Sequence, residues 1–225
     1  MTDAPTPALA VTLEGIDLAS LLCSRVCHDV ISPVGAVVNG IELYDSGDAA
    51  MKEFSIDLVR KSSRQASARL QFARIAFGAA GSAGAMIDTG DAGNVTQAFF
   101  LDEKINVTWN VPRALLPKNQ VKLILNLIMV ATHAIPRGGM LTVDGTIVGE
   151  QGEFKLTAAG MNARLPHNAE DLLAGRAPNG VVDAHAIQPY YAGQIARAAG
   201  MAVTFAIDGD VVTIHAGKVD AAPAA

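Results

Sequence analysis

Apolar residues in the first third of the chain recur at helical spacing. Val30, Val34, Val37 and Ile41 fall on one stripe when successive residues turn by ~100°. They predict a first helix over residues 17–44 with Asp17 as its N-cap. Asp45-Ser46-Gly47-Asp48 reads as a turn, with Gly47 in a left-handed C-terminal position and Asp48 capping the next helix. A second helix is predicted over residues 49–77. Its stripe of Met51, Phe54, Leu58, Leu70, Ala73 and Phe77 drifts slowly, as in a supercoiling helix. Two long helices joined by so short a turn form an antiparallel hairpin. Each is apolar over a wider arc than one partner covers, and no comparable second pair follows. A four-helix bundle completed by a two-fold homodimer is therefore expected.

The glycine-rich stretch 78–84 follows a helix rather than a strand, so it fails the context of a nucleotide-binding loop. It reads as a linker. Beyond about Met86 the period changes. Residues 95–101 and 107–111 read as strands, and 115–134 as a helix with Pro117 in its first turn. Residues 140–148 and 153–159 read as a hairpin and 188–200 as a helix. Residues 201–207 and 211–216 form a last hairpin around Asp208-Gly209. The expected class is α+β: a helical hairpin over 1–82, then an α/β sandwich over 83–225 with helices on one face of a mixed sheet. Residues 221–225 read as a disordered tail.

Composition narrows the partners. The 225 residues are half apolar with a net charge of −5, which argues against nucleic acid, whose phosphates need a basic face. No uninterrupted apolar run reaches the roughly 18 residues of a membrane span, and the first residues lack the pattern of a secretion signal. Cys23 and Cys27 lie one turn apart, where a disulfide is awkward. A reduced, cytoplasmic protein fits these features. Arg60, Lys61, Arg64, Arg69 and Arg74 concentrate positive charge on the second helix, suited to an acidic protein surface.

The candidate chemistry sits in His28-Asp29-Val30-Ile31-Ser32-Pro33. His28 lies roughly 150° from the centre of the apolar stripe, facing water. An ordinary imidazole titrates near about 6.5, so this side-chain type offers a neutral nucleophile at physiological pH. Arg25, Ser32, Gly35 and Asn39 share its side of the helix within about 60°. Asp29 is placed to accept from Nδ1–H, fixing the tautomer and leaving Nε2 free. Gly35 leaves room for a bulky partner, and Pro33 removes one helical hydrogen bond just past the site. The other histidines draw less attention. His133 ends an apolar helix as a packed or capping residue, His167 and His185 fall in loops, and His215 alternates into a terminal strand.

The layout resembles sensor histidine kinases. His28-Asp29 through Pro33 is similar to the H-box of their dimerisation and phosphotransfer domain, and the second part is similar to the Bergerat ATPase fold. The stretch 122–131 resembles the N-box. Its first asparagine is kept as Asn126, while Val130 stands where the second, a Mg²⁺ ligand, is usual. A valine cannot ligate a hard cation. The stretch 158–162, Ala-Ala-Gly-Met-Asn, lacks the adenine-binding carboxylate of the Asp-x-Gly-x-Gly box. A kinase-like fold that no longer binds ATP is expected.

That combination resembles the ChpT-type histidine phosphotransferases. The runs 27–42, Cys-His-Asp-Val-Ile-Ser-Pro onward, and 186–191, Ala-Ile-Gln-Pro-Tyr-Tyr, carry the likeness. The resemblance implies a homodimer that takes a phosphoryl group from the receiver domain of a hybrid kinase (CckA-like). It passes the group to response regulators (CtrA-like and CpdR-like). His28 is then the phosphoacceptor, supported by Asp29, Arg25 and Ser32, with Gly35 and Asn39 on the docking face. The protein needs no cofactor or metal of its own, since Mg²⁺ comes with the receiver. Two alternatives stay open: an active ATP-dependent kinase core, and a non-catalytic scaffold that inhibits a kinase. A metal-dependent His-Asp phosphohydrolase is disfavoured, because His28 is the first histidine of the chain.

Overall fold

The computed structural model describes residues 8–78 and 84–219. Residues 79–83 of the linker expected over 78–84, the tail and the first seven residues lie outside the described residues. Strand β1 (Ala8–Ala10) leads into helix α1 (Gly15–Ser46), which turns at Gly47 into α2 (Ala49–Ala76). Then follow β2 (Met86–Asp88), α3 (Thr89–Phe99), β3 (Ile105–Asn110), β4 (Leu115–Pro117) and α4 (Lys118–Thr132). The chain continues through β5 (Gly139–Val148), β6 (Gln151–Ala159), α5 (Ala169–Leu173) and β7 (Arg176–Pro178). It ends with α6 (Ile187–Ala199), β8 (Met201–Asp208) and β9 (Val211–Lys218).

The two long helices form the expected hairpin. α1 starts two residues earlier than Asp17, from Glu14 as N-cap, and Asp17 sits in its first turn, where a carboxylate complements the helix dipole. Asp48 caps α2 as expected, its side chain accepting from the Met51 amide at 3.0 Å. Gly47 is not left-handed: its backbone is extended (φ −89°, ψ 161°). Glycine suits the turn because a Cβ there would stand 2.7 Å from the Leu43 carbonyl oxygen and 2.6 Å from Met51. The helices pack tightly at Gly40, where a Cβ would meet Val59 at 2.7 Å. By length and composition α1 is also apolar enough to cross a membrane. Counting uninterrupted runs overlooks this, because polar residues punctuate the helix.

The second layer is a five-stranded mixed sheet in the order β3-β5-β6-β9-β8, parallel only between β3 and β5. Alternation sets its inner face: Leu141 and Val143 on β5, Phe154, Leu156 and Ala158 on β6, Val212 and Ile214 on β9 are all buried. α4 is embedded in the core, and every residue from 120 to 131 is buried, as for a helix apolar all round. β1 pairs with β7, so the start of the chain is stitched to the sheet layer. Leu18, Leu21 and Leu22 of α1 pack on Leu172, Ile187 and Tyr190.

Two predicted elements differ. Residues 95–101 do not form a strand. They belong to α3 and its end, started by Asp88, whose side chain accepts from the Gly90 amide at 2.7 Å. Ala92, Val95, Thr96 and Phe99 are its buried face, a spacing of three and four that a window beginning at Val95 cannot reveal. Pro117 is the N-cap of α4 rather than part of its first turn, and residues 115–117 pair with β2. The residue before a proline disfavours helical backbone, which keeps Leu116 extended.

Candidate functional site

His28 lies in the N-terminal half of α1 with its side chain 84% exposed. Helical spacing sorts the neighbours. Pro33 and Gly40 are buried, and Val30 and Val37 are half-buried. His28, Ser32, Gly35 and Asn39 are all exposed, separated by four, three and four residues, so they form one polar strip along the helix. A Cβ at Gly35 would meet nothing within 4 Å, which leaves the strip unobstructed there. One position round the helix, Ile31, Val34, Val38 and Ile41 form a second exposed strip, this one apolar.

Asp29 and Arg25 take a different place from the expected one. The Asp29 carboxylate faces the Arg25 guanidinium, Nε to Oδ2 at 3.1 Å, with the side chains only 17% and 19% exposed. Its other oxygen stands 3.9 Å from His28 Nδ1, too far for a hydrogen bond. Asp29 therefore does not fix the imidazole tautomer. The reason is geometric: adjacent residues project ~100° apart, and the residue one turn back holds the carboxylate. Nδ1 still faces the carboxylate, so Nε2 is the nitrogen turned outward.

The sheet layer brings His133 within electrostatic reach of this pair. His133, the residue that ends α4, keeps solvent access but is crowded. Burial and the Arg25 charge push its pKa below the ordinary histidine value; the Asp29 charge acts the other way, and His185 adds to the lowering. His133, expected as a packed or capping residue, is the C-cap of α4, its amide donating to the Val130 carbonyl at 3.1 Å. Its neighbourhood with Arg25, Asp29 and His185 arises from tertiary packing and has no local signature.

A second interdomain connection lies on α2. Arg69 Nη1 donates to the Asp29 carbonyl oxygen at 2.6 Å, and Nη2 to Glu103 at 2.9 Å. Glu103 also accepts from Gln65 at 2.8 Å, and the Arg69 guanidinium lies over the Phe99 ring, 5.7 Å from its centre. Lys61 pairs with Asp102 at 3.8 Å. The basic side of α2, expected to suit an acidic protein surface, thus commits two of its charges to the chain's own acidic turn at 102–103. Arg64 and Arg74 remain exposed.

The N-box-like stretch is structural in this fold. Asn126 is buried; its Nδ2 donates to the Ala76 carbonyl at the end of α2 at 3.0 Å, and its Oδ1 accepts from Gln188 at 2.7 Å. Val130 is buried in the same helix, and α6 packs along α4. At the stretch 158–162 the Asn162 amide donates to the Asp210 carboxylate at 2.9 Å. Among the described residues no group of three or more histidine, cysteine or acidic side chains is gathered for a metal ion, and Cys23 and Cys27 are free and exposed.

Comparison with known proteins places this arrangement. A family model, histidine phosphotransferase C-terminal domain, matches residues 89–211. The chain is 51% identical over 197 residues to protein phosphotransferase ChpT of Brucella abortus (strain 2308), a match spanning 88% of this chain and 93% of that protein. A solved structure of a bacterial phosphotransferase superposes with a TM-score of 0.84 at 47% identity, covering 92% of this chain and 99% of that one. The likeness extends over most of the chain, and the chain belongs to the ChpT-type histidine phosphotransferase family.

Proposed function

We propose that this protein relays a phosphoryl group between aspartates of receiver domains through a phosphohistidine at His28. The observation that carries the reading is the 84% exposure of that imidazole on a rigid helix. The donor is an aspartyl phosphate. Nε2 of neutral His28 attacks phosphorus in line, the N–P bond forms, and the P–O bond to the aspartyl carboxylate breaks with its electron pair returning to that carboxylate. A second receiver's aspartate then attacks the phosphohistidine and releases the imidazole. Such transfer depends on positioning and charge stabilisation. Mg²⁺ enters with the receiver.

Ser32, Gly35 and Asn39 line the face on which a receiver lands. Asp29 and Arg25, committed to each other, act on the imidazole and the phosphoryl group through charge rather than direct bonds. Partners are the receiver of a hybrid kinase (CckA-like) and response regulators (CtrA-like and CpdR-like), in the cytoplasm. The sheet layer serves as a docking wall and does not bind ATP. Supporting this, α4 is buried throughout and Asn126 is used within the protein. Two copies pair as a homodimer through the exposed apolar strip of α1.

The test is transfer of labelled phosphate from a phosphorylated receiver. Wild type acquires an acid-labile label that maps to His28, H28A acquires none, and neither is labelled by Mg²⁺-ATP alone. Equal labelling of H28A overturns the assignment. Labelling by ATP overturns the inert sheet layer.

A further inference from the structure

Pro33 stands four residues after Asp29 inside α1. Lacking an N–H, it cannot donate to the Asp29 carbonyl, and its ring pushes that carbonyl outward. The carbonyl that the helix gives up is the one Arg69 takes, at 2.6 Å. Arg69 in turn is fixed from the sheet layer, by Glu103 at 2.9 Å and by the Phe99 ring beneath it. Phe99 is anchored in the core between Phe72 and Phe100. An unbroken set of contacts therefore runs from the core to the Asp29–Val30 peptide, one residue past His28.

Stability alone is a poor account of this arginine. Its Nε is buried with no partner, a cost that an apolar side chain of similar length would not incur. What the guanidinium supplies is direction: it holds the Asp29–Val30 peptide from outside the helix, and that hold constrains the backbone one residue past His28, from which the imidazole is aimed. We infer that Arg69, seated on Glu103 and Phe99, is a positioning residue for phosphotransfer, setting the aim of the His28 imidazole through the carbonyl that Pro33 leaves free. The inference rests on the phosphotransfer reading above and gives the sheet layer a role within it, as the frame that aims the nucleophile.

The geometry dictates a double-mutant cycle. R69M keeps the aliphatic stem and removes the donor. P33A gives the helix back an amide that can donate to the Asp29 carbonyl. The measurement is the initial rate of label transfer from an isolated phosphorylated receiver to the full chain, as a function of receiver concentration. R69M lowers the maximal rate about ten- to a hundredfold, the scale set by misaligning a nucleophile, with KM for the receiver unchanged. In the P33A background R69M has no such effect, because the carbonyl no longer depends on it. E103Q keeps the guanidinium and removes the charge that seats it. It shows the same pattern at smaller amplitude, and carries the test if R69M does not fold. Equal slowing in both backgrounds, or none in either, overturns the positioning role. A wild type that takes no label at all overturns the phosphotransfer reading instead.

Discussion

Asp29 follows His28 in the chain and turns its carboxylate to Arg25, and the consequence reaches His133. That ring faces Arg25 and Asp29 from α1 and His185 from the loop before α6, and burial with the Arg25 charge holds its pKa below the ordinary value. The sign follows. Near the ordinary value of about 6.5 the unfolded chain takes up a proton that the folded chain resists, so folding stability falls as pH drops through that range. The loss is complete below the folded-state pKa. Denaturant unfolding of wild type and H133Q at about pH 7.5 and about pH 5.5 measures it. Wild type loses more stability on acidification than the variant; equal losses remove His133 as the source. The outward face of His28 was readable from the helical wheel, because exposure on an amphipathic helix follows from period alone. The partners of Asp29 were not, since a carboxylate one residue away and an arginine one turn away compete, and only side-chain packing decides.

At the scale of elements, α4 shows how a stretch that reads as a nucleotide-site motif serves as a joint. Asn126 ties the last turn of α2 to α6 by accepting from Gln188 and donating to Ala76. Replacing it with leucine, N126L, leaves the Ala76 carbonyl and the Gln188 amide unpaired in the core. The expected cost is about 2–4 kcal/mol, from two buried groups losing their partners, read as a shift in the denaturant midpoint. A shift near zero would show that the joint carries no stability. The long helices and the β5-β6 and β8-β9 hairpins were legible because their periods persist and their turns are marked. α3 was not: Val95 and the Phe99-Phe100 pair favour a strand locally, and only the cap at Asp88 with the buried Ala92, Val95, Thr96 and Phe99 face makes the segment helical. The short strands β1, β2, β4 and β7 exist only through pairing with distant residues, which no local pattern encodes.

For the whole molecule, the apolar stripe of α1 resolves into two edges with different duties. Val30 and Val37 are half-buried, whereas Ile31, Val34, Val38 and Ile41 face solvent at alternating three- and four-residue steps, the seam of a helix pair. Phe54 and Met51 of α2 are exposed as well. In the proposed homodimer a second copy covers these residues and completes the four-helix bundle. The seam lies about 100° from the polar strip that carries His28, so dimerisation leaves the imidazole open. Placing charges in the seam with V38E/I41E sets buried carboxylates against each other in the paired form. Light scattering then reads the single-chain mass of 23.3 kDa, where wild type reads twice that. Arg25 to Asp29 and Arg69 to the Asp29 carbonyl, two contacts that hold the His28 segment, lie within one chain. The monomeric variant therefore still takes label from a phosphorylated receiver. A variant that keeps the doubled mass refutes this face as the dimer seam, and a monomer that no longer takes label shows that the second protomer completes the site.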